Sequence, residues 1–174
     1  MENIVLIGFM GSGKSTVGRE IAIQSGRFLL DTDDLIAQNM GKSVSEIFQS
    51  VGESGFRQIE SQLITWLTHN VRNAIIATGG GMPIHNNISA LGKIFWLDVG
   101  FEDILSRMTP PERAKRPLFK DTAKAQALFD QRRKIYEGQS HFIVGGNAQA
   151  SAIAAEILKS FENLKLEKQG FYGS

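Results

Sequence analysis

Ile4-Val5-Leu6-Ile7-Gly8-Phe9-Met10-Gly11-Ser12-Gly13-Lys14-Ser15-Thr16 is the stretch on which the fold turns. The apolar tetrad reads as a buried strand. It runs directly into Gly8-x-x-x-x-Gly13-Lys14-Ser15, the spacing of a phosphate loop set between a strand and a helix. Consecutive backbone N–H groups in such a turn, added to the positive end of the helix that follows, form a concave anion site. A side chain at Gly11 or Gly13 would obstruct the phosphates. Lys14 is placed to bridge the outer phosphates as a point charge, and the Ser15 hydroxyl is a hard oxygen ligand of the kind Mg²⁺ prefers. Ser12 and Thr16 complete the expected triphosphate-binding set. The motif predicts a nucleoside triphosphate site and is silent about the acceptor.

Around this loop the chain has 174 residues, 42% of them hydrophobic, enough for one cored domain and too few for two. We expect a single domain over 1–166 and a frayed tail over 167–174, where no periodicity is present. With 19 Lys and Arg against 18 Asp and Glu there is no basic tract, so nucleic acid is not an expected partner. Cysteine is absent, which excludes disulfides and thiolate metal sites and suits a reducing compartment. The opening apolar run is short and lacks a basic leader, and it reads as a strand rather than a signal peptide. No stretch approaches membrane-spanning length, so the expected location is cytoplasmic, with no membrane partner.

Apolar runs bounded by turn residues predict five strands, at Asn3–Gly8, Phe28–Leu30, Ala74–Thr78, Lys93–Asp98 and Phe142–Val144. Helical patterns alternate with them. Lys14–Gln24 is a helix ended by Gly26, and Ser43-x-x-Glu46 is a capping box. Gly52–His69 carries Phe56, Ile59, Leu63 and Leu67 as a stripe, and a last amphipathic helix carries Ala150, Ile153, Ala154, Ile157, Leu158 and Phe161. The alternation predicts an α/β layered domain on a mainly parallel sheet.

Ligands of such sheets gather beyond the carboxyl ends of the strands, so the residues there are the site candidates. After the second strand stand Asp31 and Asp33, two apart and able to share a direction, although either Asp33 or Asp34 could instead cap the next helix. Arg57 and Glu60 are at helical spacing. They are either an ordinary surface ion pair or a carboxylate holding a guanidinium for a substrate carboxylate. Gly79-Gly80-Gly81 costs conformational entropy that a polar connector would avoid, which points to close approach of backbone to a ligand. The proline-rich, cationic segment around 109–122 reads as a lid, from which Arg116 can neutralise charge on a transferred phosphoryl group. A helical segment, Lys124–Tyr136, holds Arg132 and Arg133, of which at least one should face solvent.

Jointly these residues resemble shikimate kinases, over nearly the whole chain from Ile4 to about Leu158. Gly11-Ser12-Gly13-Lys14-Ser15-Thr16 resembles the family's ATP loop. Leu30-Asp31-Thr32-Asp33 is similar to its D-x-D element, Phe56-Arg57-x-x-Glu60 to its F-R-x-x-E element, and Thr78-Gly79-Gly80-Gly81 to its glycine run. Arg116-Pro117-Leu118 is similar to its lid motif, and Arg132, four before Tyr136, stands where the family places a second carboxylate-binding arginine. The resemblance implies a three-layer P-loop kinase fold with a five-stranded parallel sheet in the order 2-3-1-4-5 and a mobile lid, acting as a monomer. It implies transfer of the γ-phosphoryl of Mg·ATP to the 3-hydroxyl of shikimate. In that scheme Ser15 and, through water, Asp31 hold Mg²⁺, while Asp33 meets shikimate hydroxyls and serves as base. Arg57, Arg132, Gly79, Gly80 and Gly81 meet the rest of shikimate, Lys14, Asp33 and Arg116 are catalytic, and Arg116 and Gln149 touch ATP. The chain departs from the family's pattern at Lys134, Ser140, Gly145 and Gly146. The alternative is another P-loop small-molecule kinase, such as a gluconate kinase. A phosphorylated acceptor would be repelled by Asp33, and no Asn is followed by Lys as base-reading switch proteins require.

Overall fold

The computed structural model describes residues 2–109 and 117–170. A central strand β1 (Ile4–Ile7) leads through the phosphate loop into α1 (Lys14–Ser25), and β2 (Leu29–Asp31) is followed by α2 (Thr32–Met40). Then come α3 (Val44–Asn70), β3 (Ile75–Ala77), the short α4 (Met82–His85) and β4 (Lys93–Asp98). The chain continues through α5 (Phe101–Arg107), α6 (Thr122–Gln139), β5 (Phe142–Gly145) and α7 (Ala150–Gly170). All five strands are parallel, in the order β2-β3-β1-β4-β5, as the resemblance implied.

Alternation along β1 builds the three layers. Ile4 and Leu6 face Val17, Ile21, Ile153 and Phe161 of α1 and α7, while Val5 and Ile7 face Leu67, Trp96, Phe129 and Tyr136 on the other side. All four strand residues are wholly buried, as a central parallel strand requires. Buried Asn3 ties the lower ends of three strands together. Its amide donates to the Val71 and Leu91 carbonyls at 3.0 and 2.8 Å, and its oxygen accepts from Ala74 N–H at 3.0 Å.

Helix α3 begins with the expected capping box, in which Ser43 and Glu46 bond reciprocally. It is broken at Gly52, whose φ of 70° is left-handed, so two helical segments meet at an angle that only glycine adopts without strain. The stripe of the second segment is rotated from the predicted one. Phe56, Glu60, Ile64 and Leu67 are buried, whereas Ile59 and Leu63 are only partly so. Strand β2 lies one residue later than expected because it is an edge, with Phe28 83% exposed. Helix α7 continues to Gly170, into the stretch that carried no periodicity.

Half of the expected lid, 110–116 and Arg116 with it, lies outside the described residues. The C-terminal side of the segment is anchored. Phe119 is buried with its ring centroid 6.3 Å from that of Phe9 and 6.4 Å from that of Phe101. Among the described residues, no helix is long and apolar enough to cross a membrane.

Candidate active site

A cavity of about 1160 Å³ opens beyond the carboxyl ends of β1, β2 and β3. Its walls include the phosphate loop from Met10 to Thr16, then Asp31, Asp33, Phe48, Gly79 and Gly80, and at the far end Arg107, Gly146 and Ala148. Such a volume exceeds a single small-molecule pocket and admits two substrates side by side.

The phosphate loop is locally programmed. Gly13 caps α1 at a φ of 91°, and its carbonyl accepts from Val17 N–H at 2.9 Å. The Lys14 ammonium is drawn inside the turn, donating to the Gly8 and Phe9 carbonyls at 2.8 and 2.9 Å. From there its flexible stem can reach an incoming phosphate. Ser15 Oγ donates to Asp31 Oδ2 at 2.6 Å, joining the first residue pair expected at a metal. Asp31 is also the N-cap of α2, accepting from the Asp33 N–H at 3.1 Å. The helix-capping role considered for Asp33 or Asp34 therefore belongs to Asp31, which leaves the Asp33 carboxylate available. Burial, reinforced by the charge of Asp31, raises the Asp33 pKa, while Lys14 and Arg57 pull it back.

The three glycines after β3 explain how the pieces meet. A Cβ at Gly79 would collide with Asp33 Oδ1. One at Gly80 would lie 3.2 Å from the Met10 nitrogen of the phosphate loop, and one at Gly81 would lie 2.7 Å from Arg57 Nη1. None of the three has a positive φ. Their small size therefore makes room for protein as well as ligand: an acid, the phosphate loop and a guanidinium each press against one glycine. Two hydroxyls that the sequence reading overlooked pin this turn, Thr32 Oγ1 accepting from Gly79 N–H at 2.8 Å and Tyr136 Oη donating to the Gly80 carbonyl at 2.6 Å. Thr32 sits between the two singled-out aspartates, and Tyr136 one helical turn beyond Arg132, but neither position marks a contact with a distant glycine.

Arg57 is held by two carboxylates, Glu60 at 2.8 Å and Glu53 at 3.2 Å, with its guanidinium 5.6 Å from the ring centroids of Phe48 and Phe56. Glu60 is 1% exposed, so the surface-pair reading is excluded. Burial raises the Glu60 pKa, and its hydrogen bond and ion pair with Arg57 oppose that shift. Glu53 four residues before Arg57 was the available sequence signal for the second partner. Arg132 is buried and Arg133 is the outward one, paired with Asp98 at 2.7 Å. Both Arg57 Nε and Arg132 Nε are buried without a hydrogen-bond partner. Arg57 sits against Gly81 at the end of the glycine turn, and neither Arg57 nor Arg132 is among the residues that line the cavity. Gln149 is exposed, with its carbonyl capping the start of α7, while its neighbours Ala148 and Ala150 line the cavity.

Known proteins carry the same arrangement of sequence. The shikimate kinase family model matches residues 10–162. A shikimate kinase from Helicobacter hepaticus (strain ATCC 51449 / 3B1) is 63% identical over 162 residues, covering 93% of this chain and 97% of its own. The solved structure of shikimate kinase from Acinetobacter baumannii in complex with shikimate superposes with a TM-score of 0.86 at 32% identity, over 95% of this chain and 96% of that one. A gluconokinase from Sinorhizobium meliloti 1021 reaches a TM-score of 0.60 at 15% identity, over 99% of this chain and 98% of its own, a likeness of fold alone. Identity sustained from the phosphate loop to the last helix goes beyond a common architecture, and the chain belongs to the shikimate kinase family.

Proposed function

We propose that this enzyme transfers the γ-phosphoryl group of ATP to the 3-hydroxyl of shikimate, acting as a cytoplasmic monomer. The observation that carries the reading is the glycine turn, which gathers Asp33, the phosphate loop and Arg57 at successive residues. A carboxylated polyol needs an acidic group for its hydroxyls and guanidinium groups for its carboxylate. The partnerless Nε–H groups of Arg57 and Arg132 support an anionic occupant, because buried donors are rarely left unpaired.

In this reading the triphosphate lies along the backbone N–H groups of the loop from Gly11 to Thr16. Lys14 leaves the Gly8 and Phe9 carbonyls for the phosphate oxygens. Asp33, its proton affinity raised by burial, receives the hydroxyl proton as the hydroxyl oxygen attacks. Glu60 and Glu53 orient Arg57 toward the substrate carboxylate. Arg116 and Gln149 are the proposed contacts to ATP from the lid and the adenine side. Phosphoryl transfer asks for positioning and charge stabilisation more than covalent chemistry, which is what this set offers.

Magnesium fits the donors. Ser15 Oγ and the Asp31 carboxylate are hard oxygens, and among the described residues no cluster of three or more His, Cys, Asp or Glu forms a protein cage. Mg²⁺ is ordinarily held in that way, by few protein oxygens, water and substrate phosphates, and it supplies neutralisation of phosphate charge. The test is ADP release from Mg·ATP in parallel with shikimate, gluconate and nucleoside monophosphates. The reading expects turnover with shikimate, and faster turnover with either competitor overturns it.

A further inference from the structure

We propose that Tyr136 is a positioning residue for the shikimate side of the site, its hydroxyl fixing Arg132 on α6 in register with the glycine turn at Gly80. The inference deepens the function proposed above and rests on it. Arg132 and Tyr136 are one helical turn apart and share the inward face of α6, both buried. The tyrosine ring is set by packing in the core, with its centroid 6.3 Å from that of Trp96. Its hydroxyl reaches out of that core to donate to the Gly80 carbonyl at 2.6 Å. Arg132 lies one turn earlier on the same buried face of α6, so the bond from the hydroxyl to Gly80 sets where that face meets the glycine turn.

One hydrogen bond therefore ties α6, which carries Arg132, to a glycine that lines the cavity. Gly80 in turn packs on the phosphate loop, since a Cβ there would lie 3.2 Å from the Met10 nitrogen and 3.5 Å from the Gly8 carbonyl. The hydroxyl thus relates the second guanidinium both to the glycine backbone and, through it, to the triphosphate site. Burial pushes the phenol up to about 12, so it remains a donor throughout the working range of the enzyme.

Tyr136→Phe removes the oxygen and leaves the ring packing in place. An ordinary buried hydrogen bond is worth several-fold to about tenfold in an equilibrium constant. We expect the KM for shikimate to rise about five- to tenfold while the KM for ATP stays within about twofold, with kcat largely retained. Tyr136→Met, which lacks the hydroxyl but fills the space with an adaptable apolar chain, should show the same split. In an Arg132→Ala background the Phe substitution should add less than about twofold, because the group it positions is gone. A merely structural tyrosine would lower Tm and leave the ratio of the two KM values unchanged. An unaltered enzyme without shikimate-dependent turnover overturns the parent reading, and the inference with it. An active enzyme whose variants leave the shikimate KM unchanged, raise both KM values equally, or act additively with Arg132→Ala overturns the inference alone.

Discussion

Gly79→Ala tests whether the placement of one carboxylate governs turnover. The added methyl would collide with Asp33 Oδ1 and stand 3.1 Å from Cγ and 3.2 Å from Oδ2. Comfortable heavy-atom contacts lie at about 3.5–4.0 Å, so the carboxylate has to withdraw by roughly 1 Å. The backbone of Gly79 is poorly able to yield instead. Its N–H is held by buried Thr32 Oγ1 at 2.8 Å, and its carbonyl accepts from Met82 N–H at 3.1 Å. Alanine also suits the local φ, which is not positive. The displacement therefore falls on Asp33. Misplacing a reacting group by about 1 Å costs on the order of a hundredfold in rate, or about 2.7 kcal/mol of barrier. In a coupled ADP-release assay with both substrates varied, kcat should fall about a hundredfold while the KM for ATP stays within about threefold. Overpacking of about 1–3 kcal/mol should lower Tm by a few degrees without unfolding the protein. A folded Gly79→Ala enzyme with kcat within about threefold of the parent would refute the reasoning.

The neighbouring substitution should fail differently: Gly81→Ala places its methyl 2.7 and 2.8 Å from the two terminal nitrogens of Arg57, so steady-state kinetics should show about a tenfold rise in shikimate KM with kcat less affected. Lys14→Met should lower kcat at least about a hundredfold with the fold intact by circular dichroism, and near-normal turnover would contradict its charge-stabilising role. Asp33→Asn should melt higher than the parent at neutral pH. The folded pKa of Asp33 is raised by burial and by Asp31, so its stabilising contribution is full below the unfolded value near 3.8 and is lost as pH rises through the folded value. The gap in Tm between variant and parent should accordingly widen from acid to neutral pH, and a gap that narrows would show that the carboxylate is not desolvated as described.

Features that depend on residues close in the chain were legible. The turn from β1 to α1, the Ser43 capping box and the end of α1 at Gly26 each form from hydrogen bonds spanning a few residues, and each stands where the pattern put it. Asp31 and Asp33 both line the cavity, but which one caps α2 depends on where β2 ends, and an edge strand ends loosely. Arg132 and Arg133 are indistinguishable by type, and only the packing of α6 against β4 decides that Arg132 is buried and Arg133 pairs with Asp98. On the second segment of α3, Phe56 and Leu67 are buried as the apolar pattern has them, but Glu60 and Ile64 are buried ahead of Ile59 and Leu63, because Glu60 turns inward to hold Arg57 and a stripe read from apolar residues passes over it.

By itself the sequence determined the phosphate loop, the alternation of strands and helices, and the set of acidic, basic and glycine residues from which a phosphotransferase could be assembled. Only the tertiary structure decided which atoms of that set touch. Gly79, Gly80 and Gly81 look interchangeable in the chain, yet one faces Asp33, one the phosphate loop and one Arg57, while hydroxyls from Thr32 and Tyr136 pin them at sequence separations of 47 and 56 residues. Backbone hydrogen bonding within a helix or turn is specified by neighbours in sequence, whereas contact between loops at the top of a sheet is specified by strand order and packing, which no local pattern encodes.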